Sequence, residues 1–132
     1  MLDLGLLIIR LIIGVSFFAH GAQKLFGWFG GYGLKGTGGW MDSLGMKPGV
    51  MMALIAGLAE LVGGILFVLG FLTPLAGIMI AVTMVVAIVK VHYANGYWST
   101  NNGYEYNLAL MAAAIGLALT GAGQYALDAI LF

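Results

Sequence analysis

The sequence contains no cysteine and very little charge. Five basic and five acidic residues make up 8% of its 132 residues, and the formal net charge is zero. The lack of cysteine excludes disulfides, thiolate catalysis and iron–sulfur ligation. The lack of a basic run argues against a nucleic-acid partner, which would need several phosphate contacts. Because cysteine-based redox chemistry is excluded, any redox role must use a bound molecule.

Hydrophobic residues, in contrast, make up 62% of the chain. A soluble domain would carry about 25% charged residues, roughly three times the proportion present here. The composition therefore predicts an integral membrane protein whose constant partner is the lipid bilayer.

Four apolar stretches are each long enough, or nearly so, to cross a membrane, which takes about 20 residues of helix. They are residues 4–25, 49–71, 74–92 and 105–121. Their apolar character is continuous instead of alternating, and a closed barrel would need at least eight strands. Only helices then satisfy the backbone in lipid. The sequence predicts an all-α, polytopic four-helix bundle that forms a single domain over residues 1–132.

The connections between the predicted helices differ in length and composition. The first, residues 26–48, is rich in glycine and aromatic residues and is predicted to be an interfacial loop, because Trp and Tyr favour the headgroup level. Within it, Thr37 is predicted to N-cap a short amphipathic turn that buries Trp40. Thr73 and Pro74 form a tight second connection, and residues 93–104 form the third. Both long connections then lie at one end of the bundle and both termini at the other.

The distribution of basic residues predicts an orientation. Lys24, Lys35, Lys47 and Lys90 belong to the end with the long connections, and only Arg10 belongs to the other end. Under the positive-inside rule, the long connections are cytoplasmic and both termini are outside.

The ionisable residues of the first two helices fall on stripes of small residues. At 100° per residue, Arg10 and Lys24 share a face with Gly14 and Gly21, with His20 at its edge. Glu60 shares a face with residues 57, 63 and 64, which are all glycine. Small residues mark helix packing faces, and a charge facing lipid at mid-membrane costs at least about 2.5–3.5 kcal/mol. These side chains should therefore point into the bundle, where His20 and Glu60 lean toward each other.

Each polar residue also has a structural explanation. Arg10 is interpreted as a structural charge that pairs with helix-end carbonyls. Lys90 and His92 end one helix and Glu105 begins another, as helix dipoles favour. Glu60 could be a neutral carboxyl that locks packing. No metal site is predicted, since the histidines and carboxylates lack tight spacing and the nearby lysines oppose a cation.

Several motifs together resemble the DoxX family of small bacterial membrane proteins. They are Arg10, F-x-x-H-G-x-x-K-L over Phe17–Leu25, Glu60 followed by Gly63 and Gly64, G-G-Y-G-L-K-G-T, E-Y-N-L-A-L from Glu105, and T-G-A-G-Q over Thr120–Gln124. The resemblance implies a four-helix bundle in the bacterial cytoplasmic membrane and a role as a subunit of a membrane oxidoreductase. His20, Gly21, Lys24, Glu60, Glu105 and Asn107 match recurrent positions of the family.

The leading functional hypothesis is a small redox subunit that binds a quinone-like or other small polar-headed molecule inside the bundle. The candidate intramembrane site comprises His20, Lys24, Glu60, Lys90, His92, Glu105 and Asn107. The sequence contains no cofactor motif of its own, so a partner protein must supply electrons, and the chain is not expected to be catalytically autonomous. The alternative is a non-enzymatic structural, assembly or transport protein whose buried charges only stabilise the bundle. Self-association stays open.

Overall fold

Helices make up all the regular structure of residues 1–131, which are the residues that the computed structural model describes. In chain order they are α1 (Leu2–Phe26), α2 (Gly33–Ser43), α3 (Gly49–Leu69), α4 (Thr73–Ala87), α5 (Glu105–Thr120) and α6 (Leu127–Leu131). A π-helical turn, Ile88–His92, continues α4, and short 3-10 turns lie at 28–30, 93–95 and 99–101. The prediction of an all-α membrane bundle, built from α1, α3, α4 and α5, is confirmed.

Three of the four bundle helices are long and apolar enough to cross a membrane. They are Leu2–Phe26, Gly49–Leu69 and the continuous helical segment Thr73–Asn95. The fourth, α5, is apolar but has only 16 residues. At 1.5 Å per residue it extends about 24 Å, which is less than the ~30 Å hydrocarbon core of a typical bilayer.

Glycines allow α1 and α3 to pack with their backbones in contact. A β-carbon on Gly64 would lie 2.5 Å from the carbonyl oxygen of Gly14, and one on Gly21 would lie 2.5 Å from the amide nitrogen of Leu61. Neither position has room for a larger residue. The predicted stripes are therefore the packing faces, and their contact fixes how the charged residues of α1 and α3 face each other.

The apolar core lies between all four bundle helices. Phe17, Phe67, Ile80 and Leu117 are among its buried members. The side chains of Ala76 and Ala114 are fully buried, which lets α4 and α5 approach closely. The opposite faces of the helices carry exposed Ile, Leu and Val, as expected for surfaces that contact lipid.

The C-terminal segment folds back over the turn between α3 and α4. The carboxylate of Asp128 accepts hydrogen bonds from the backbone amides of Leu72 (2.8 Å) and Thr73 (3.0 Å) and from the Thr73 hydroxyl (2.7 Å). Asp3 accepts a bond from the amide of Gln124 at 3.1 Å. Both terminal segments thus meet the α3–α4 turn at one end of the bundle, while α2 and residues 93–104 occupy the other.

The connection between α1 and α3 differs from the prediction. Residues Gly33–Ser43 form an 11-residue helix whose N-cap is Tyr32, so Thr37 lies inside the helix and does not cap it. Trp40 is 47% exposed, whereas Thr37 and Met41 are buried. Helix α2 begins four residues before Thr37 and turns its smaller side chains toward α1 and α3. The indole of Trp40 remains at the surface, where an interfacial Trp is favoured.

Candidate functional site

An ion pair joins α1 and α3 near the α2 end of the bundle. The ammonium nitrogen of Lys24 lies 2.7 Å from Oε1 of Glu60, and the two side chains are 22% and 5% exposed. Lys24 is in the last turn of α1, and Glu60 lies near the middle of α3. The close contact at Gly21 brings the two helices near enough for the pair to form. Removing either partner would leave the other charge buried and unpaired.

Beside this ion pair, a cavity of about 460 Å³ opens among the four bundle helices. Its size falls within the range of about 300–1,000 Å³ that is typical of small-molecule sites. The side chains of Phe17, Met41, Met84 and Leu110 supply apolar walls. The charged and polar side chains around it are His20, Lys24, Glu60, Thr83, Ser99, Asn102, Tyr106, Asn107 and His92.

Two histidines, His20 and His92, line the cavity. His20 of α1 is exposed, with its ring centroid 6.3 Å from that of Phe17. Nδ1 of His92 lies 2.9 Å from the carbonyl oxygen of Asn102. Because a carbonyl only accepts, Nδ1 of His92 must donate, and in the neutral ring Nε2 is then an acceptor. The site thus holds a hydrogen-bond acceptor on His92 and an exposed imidazole on His20.

Asn107 contributes a buried amide at the inner wall. Its Nδ2 lies 3.6 Å from the sulfur of Met84, and the residue is 8% exposed. A thioether is a weak acceptor, so this contact leaves most of the hydrogen-bonding capacity of the amide unused. Asn107 can therefore bind a polar group in the cavity.

Two predicted site residues lie outside the lining of the cavity. Lys90 is exposed, and Glu105 accepts a hydrogen bond from the backbone amide of Ser99 at 3.1 Å. The π-helical turn explains Lys90, because its i→i+5 bonding adds a residue per turn and rotates the chain. With α-helical spacing, Lys90 would lie two turns after Thr83 on the same face of the helix, which is the face toward the cavity. In the structure, Val91 and His92 take that face instead.

Sequence reasoning missed several lining residues, among which Tyr106 and Trp40 carry polar groups. Tyr106 is one helical turn before Leu110, which also lines the cavity, so helical periodicity in α5 could have found it. Trp40 could not be found this way, since its contribution depends on where α2 packs.

Arg10 lies at the opposite end of the bundle and is fully buried. Its guanidinium donates to the carbonyl oxygens of Phe67 (3.3 Å) and Tyr125 (2.6 Å). Phe67 is in the last turn of α3, so these are bonds to helix-end and loop carbonyls. Arg10 therefore takes no part in the Lys24–Glu60 ion pair. Within residues 1–131, no three His, Asp or Glu side chains are grouped in a way that could hold a metal ion.

The sequence model of the DoxX family matches residues 5–93, which include four of the five candidate residues that line the cavity. The chain belongs to the DoxX family. It is 34% identical over 130 residues to a Bacillus subtilis protein named "Putative oxidoreductase CatD", across 98% of this chain and 89% of that protein. It is 33% identical over 128 residues to the Escherichia coli inner membrane protein YphA, across 93% and 87% of the two chains.

A further relative is the Escherichia coli inner membrane protein YqjF, which is 30% identical over 131 residues, across 98% of this chain and 93% of that one. No solved structure matches the chain. The DoxX assignment thus rests on sequence, and it agrees with the bacterial membrane proteins among the relatives.

Proposed function

We propose that this DoxX protein is a small subunit of a membrane redox system and binds a quinone-like molecule in the cavity beside Lys24 and Glu60. The observation that carries the proposal is the buried ion pair in the wall of a cavity that is otherwise largely apolar. A charged group in the wall of an apolar cavity can bind a polar group of a ligand there.

The lining suits a flat ring with carbonyl oxygens. An ammonium group has three donors, and Lys24 uses one on Glu60, which leaves donors for a ligand oxygen. Phe17, Met84 and Leu110 provide apolar surfaces for the ring. His20 and Asn107 offer further hydrogen bonds at other points of the wall.

Reduction of a quinone to a quinol takes two electrons and two protons, and both carbonyl oxygens become hydroxyls. Glu60 and His20 are the groups of this chain suited to hold and pass those protons, because each lines the cavity and a carboxylate and an imidazole are general acid–base groups. The electrons come from a partner protein. The name of the Bacillus subtilis relative includes oxidoreductase, which supports a redox role.

Binding can be tested on the purified full-length protein in detergent. Decylubiquinone is titrated while tryptophan fluorescence and the melting temperature are followed, since Trp40 lines the cavity. We expect fluorescence quenching that saturates, and a rise in melting temperature. No saturable quenching and no thermal shift would refute quinone binding.

The double variant Lys24→Met/Glu60→Gln removes both charges of the ion pair, so that no single charge is left buried and unpaired. Loss of a hydrogen bond from a charged donor should weaken quinone binding about tenfold or more. Lys35→Met is the matched control, because Lys35 is exposed on α2. If the double variant binds quinone as the wild type does but melts at a lower temperature, the pair only stabilises the bundle.

A further inference from the structure

A second cavity, of about 570 Å³, lies on the other side of Lys24, between the end of α1 and the first half of α2. It shares Lys24 and Trp40 with the first cavity. Its other lining residues include Gln23, Tyr32, Gly36 and Thr37, which lie in α1, α2 and the segment between them. It is therefore a separate space on the outer side of the Lys24–Glu60 ion pair.

Each of the five polar side chains that line this cavity can donate a hydrogen bond, and two of them, Lys24 and Trp40, can only donate. Lys24 carries the positive charge and has donors beyond the one used on Glu60. The indole of Trp40 can only donate. Glu60 lines the first cavity, on the inner side of the ammonium group. An anion in the second cavity would thus meet the ammonium without facing the carboxylate directly.

Thr37 indicates that the cavity is built for a ligand. The residue is only 6% exposed, yet it lines the cavity, and its hydroxyl takes part in none of the side-chain hydrogen bonds within residues 1–131. A helical threonine ordinarily bonds to the carbonyl one turn earlier. Thr83 does so, with its hydroxyl 2.7 Å from the carbonyl oxygen of Met79. An acceptor in the cavity would satisfy the hydroxyl of Thr37.

The start of α2 adds a further source of positive potential. Helix α2 begins at Gly33, and its N-cap residue, Tyr32, makes no side-chain capping bond. The first amides of a helix lack intrahelical partners and carry partial positive charge. Tyr32 and Gly36, which flank this first turn, both line the cavity. Lys35, in the same turn, would also favour an anion there.

We propose that the second cavity binds a phosphate group, held by the ammonium of Lys24 and the hydroxyl of Thr37 and favoured by the positive potential at the start of α2. The phosphate can belong to a phospholipid headgroup or to free inorganic phosphate. The surrounding side chains of Trp28, Phe29 and Tyr32 are exposed, as aromatic residues are at the headgroup level of a bilayer. This position makes a lipid phosphate accessible to the cavity.

The proposal is tested with the full-length protein after delipidation in detergent. Dihexanoyl phosphatidic acid and inorganic phosphate are titrated separately at constant ionic strength, with tryptophan fluorescence as the readout. Binding of the lipid that inorganic phosphate does not displace identifies a lipid headgroup as the source. Binding of inorganic phosphate that displaces the lipid identifies the free anion. Absence of binding by both probes overturns the proposal.

The deciding variant is Thr37→Val, which removes the hydroxyl and keeps the shape of the side chain. We expect phosphate or lipid binding to weaken about tenfold, because a hydrogen bond to a charged acceptor is lost. Thr37→Ser keeps the hydroxyl and should bind like the wild type. Thr100→Val, at an exposed threonine in the loop before α5, is the matched control. Equal binding by Thr37→Val and wild type overturns the proposal.

Stability separates a ligand role from a structural one. The hydroxyl of Thr37 makes no hydrogen bond to another of the described residues, so Thr37→Val should leave the melting temperature of the ligand-free protein unchanged or raise it. Quinone binding should also be unchanged, since Thr37 does not line the first cavity. A lower ligand-free melting temperature with unchanged phosphate binding would assign Thr37 to packing and overturn the proposal.

Discussion

Arg10 shows how a full charge is accommodated inside a membrane bundle. Its guanidinium is fully buried, and two of its nitrogens donate to the carbonyl oxygens of Phe67 and Tyr125. Its Nε is buried without a hydrogen-bond partner in the described part of the chain. The side chain therefore holds the end of α3 against the C-terminal segment. It also leaves no space around Gly70, where a β-carbon would collide with the guanidinium.

Arg10→Met should destabilise the protein, because both carbonyl oxygens lose a charged donor. Each such hydrogen bond contributes about 1.5–3 kcal/mol, so a loss of about 3 kcal/mol in the free energy of unfolding is expected. Unfolding in a denaturing detergent measures it. Lys35→Met provides the exposed-charge control, and equal stability of the two variants would show that Arg10 is not a structural charge.

Asp128, at the same end of the molecule, should make the stability of the fold depend on pH. Burial acts to raise the pKa of Asp128, but hydrogen bonds from Thr73 and Leu72 and the charge of Arg10 outweigh it and hold the pKa below its usual value. A carboxyl with a lowered pKa stabilises the fold fully above the unfolded pKa, about 3.9. This contribution is lost as the pH falls through the lower pKa of the folded state.

The expected consequence is a melting temperature that falls below about pH 4, in part through Asp128. Asp128→Asn should melt lower than wild type at pH 7, with a smaller further fall on acidification. Thermal scans between pH 7 and pH 3 measure both. An identical pH dependence for the two proteins would exclude Asp128 as a contributor.

The position of a site residue could be predicted from the sequence where the surrounding lipid restricts which way its side chain can face. Lys24 and Glu60 stand out because a charge in a membrane helix must face the bundle, and helical periodicity then shows on which face it lies. Tyr106 and Trp40 were missed because aromatic residues are equally at home in a cavity wall and at the membrane interface.

At the scale of the elements, the contact of α1 with α3 depends on residues that cannot be enlarged. Gly64→Ala would place a β-carbon 2.5 Å from the carbonyl oxygen of Gly14, so the two helices must separate. Gly116→Ala on α5 meets nothing within 4 Å and should stabilise the helix by up to about 1 kcal/mol. Melting temperatures of the two variants should therefore move in opposite directions. A neutral Gly64→Ala variant would contradict the close packing.

The π-helical turn Ile88–His92 decides which side chain of α4 reaches the cavity. The turn holds one more residue than an α-helical turn, so deletion of Val89 should convert the segment to α-helix while Val91 and His92 keep their face. The chain lacks cysteine, so single cysteines at positions 90 and 92 can report this by maleimide labelling. Their relative labelling rates should keep the wild-type order in the deletion variant, and Val89→Ala, which keeps the chain length, should do the same. A reversed order in the deletion variant would reject this role for the turn.

The elements differ in how well the sequence predicts them. Bundle helices follow from apolar length, because a lipid environment leaves the backbone no other solution. The π-helical turn does not, since hydropathy is the same for i→i+4 and i→i+5 bonding. Helix α2 was predicted only as a short turn, because its four glycines, at positions 33, 36, 38 and 39, are typical of a loop.

At the scale of the whole molecule, both cavities lie at the end that carries α2. The exposed Lys35 and Lys47 are at this end, so the positive-inside rule predicts that it faces the cytoplasm. Single cysteines at Lys35 and Gln124 can test it with an impermeant maleimide on intact cells. Labelling is expected at position 124 and, only after lysis, at position 35. The reverse pattern would place both cavities on the outer side of the membrane.

The shortness of α5 has a consequence for the surrounding bilayer. With 16 residues, α5 spans about 6 Å less than a typical hydrocarbon core, so the bilayer beside it should thin locally. The first turn of α5 carries Tyr106 and Asn107, which line the first cavity. Local thinning would bring the water boundary down toward this wall. Protons would then have a shorter path from bulk water to the Lys24–Glu60 pair than the full depth of the membrane implies.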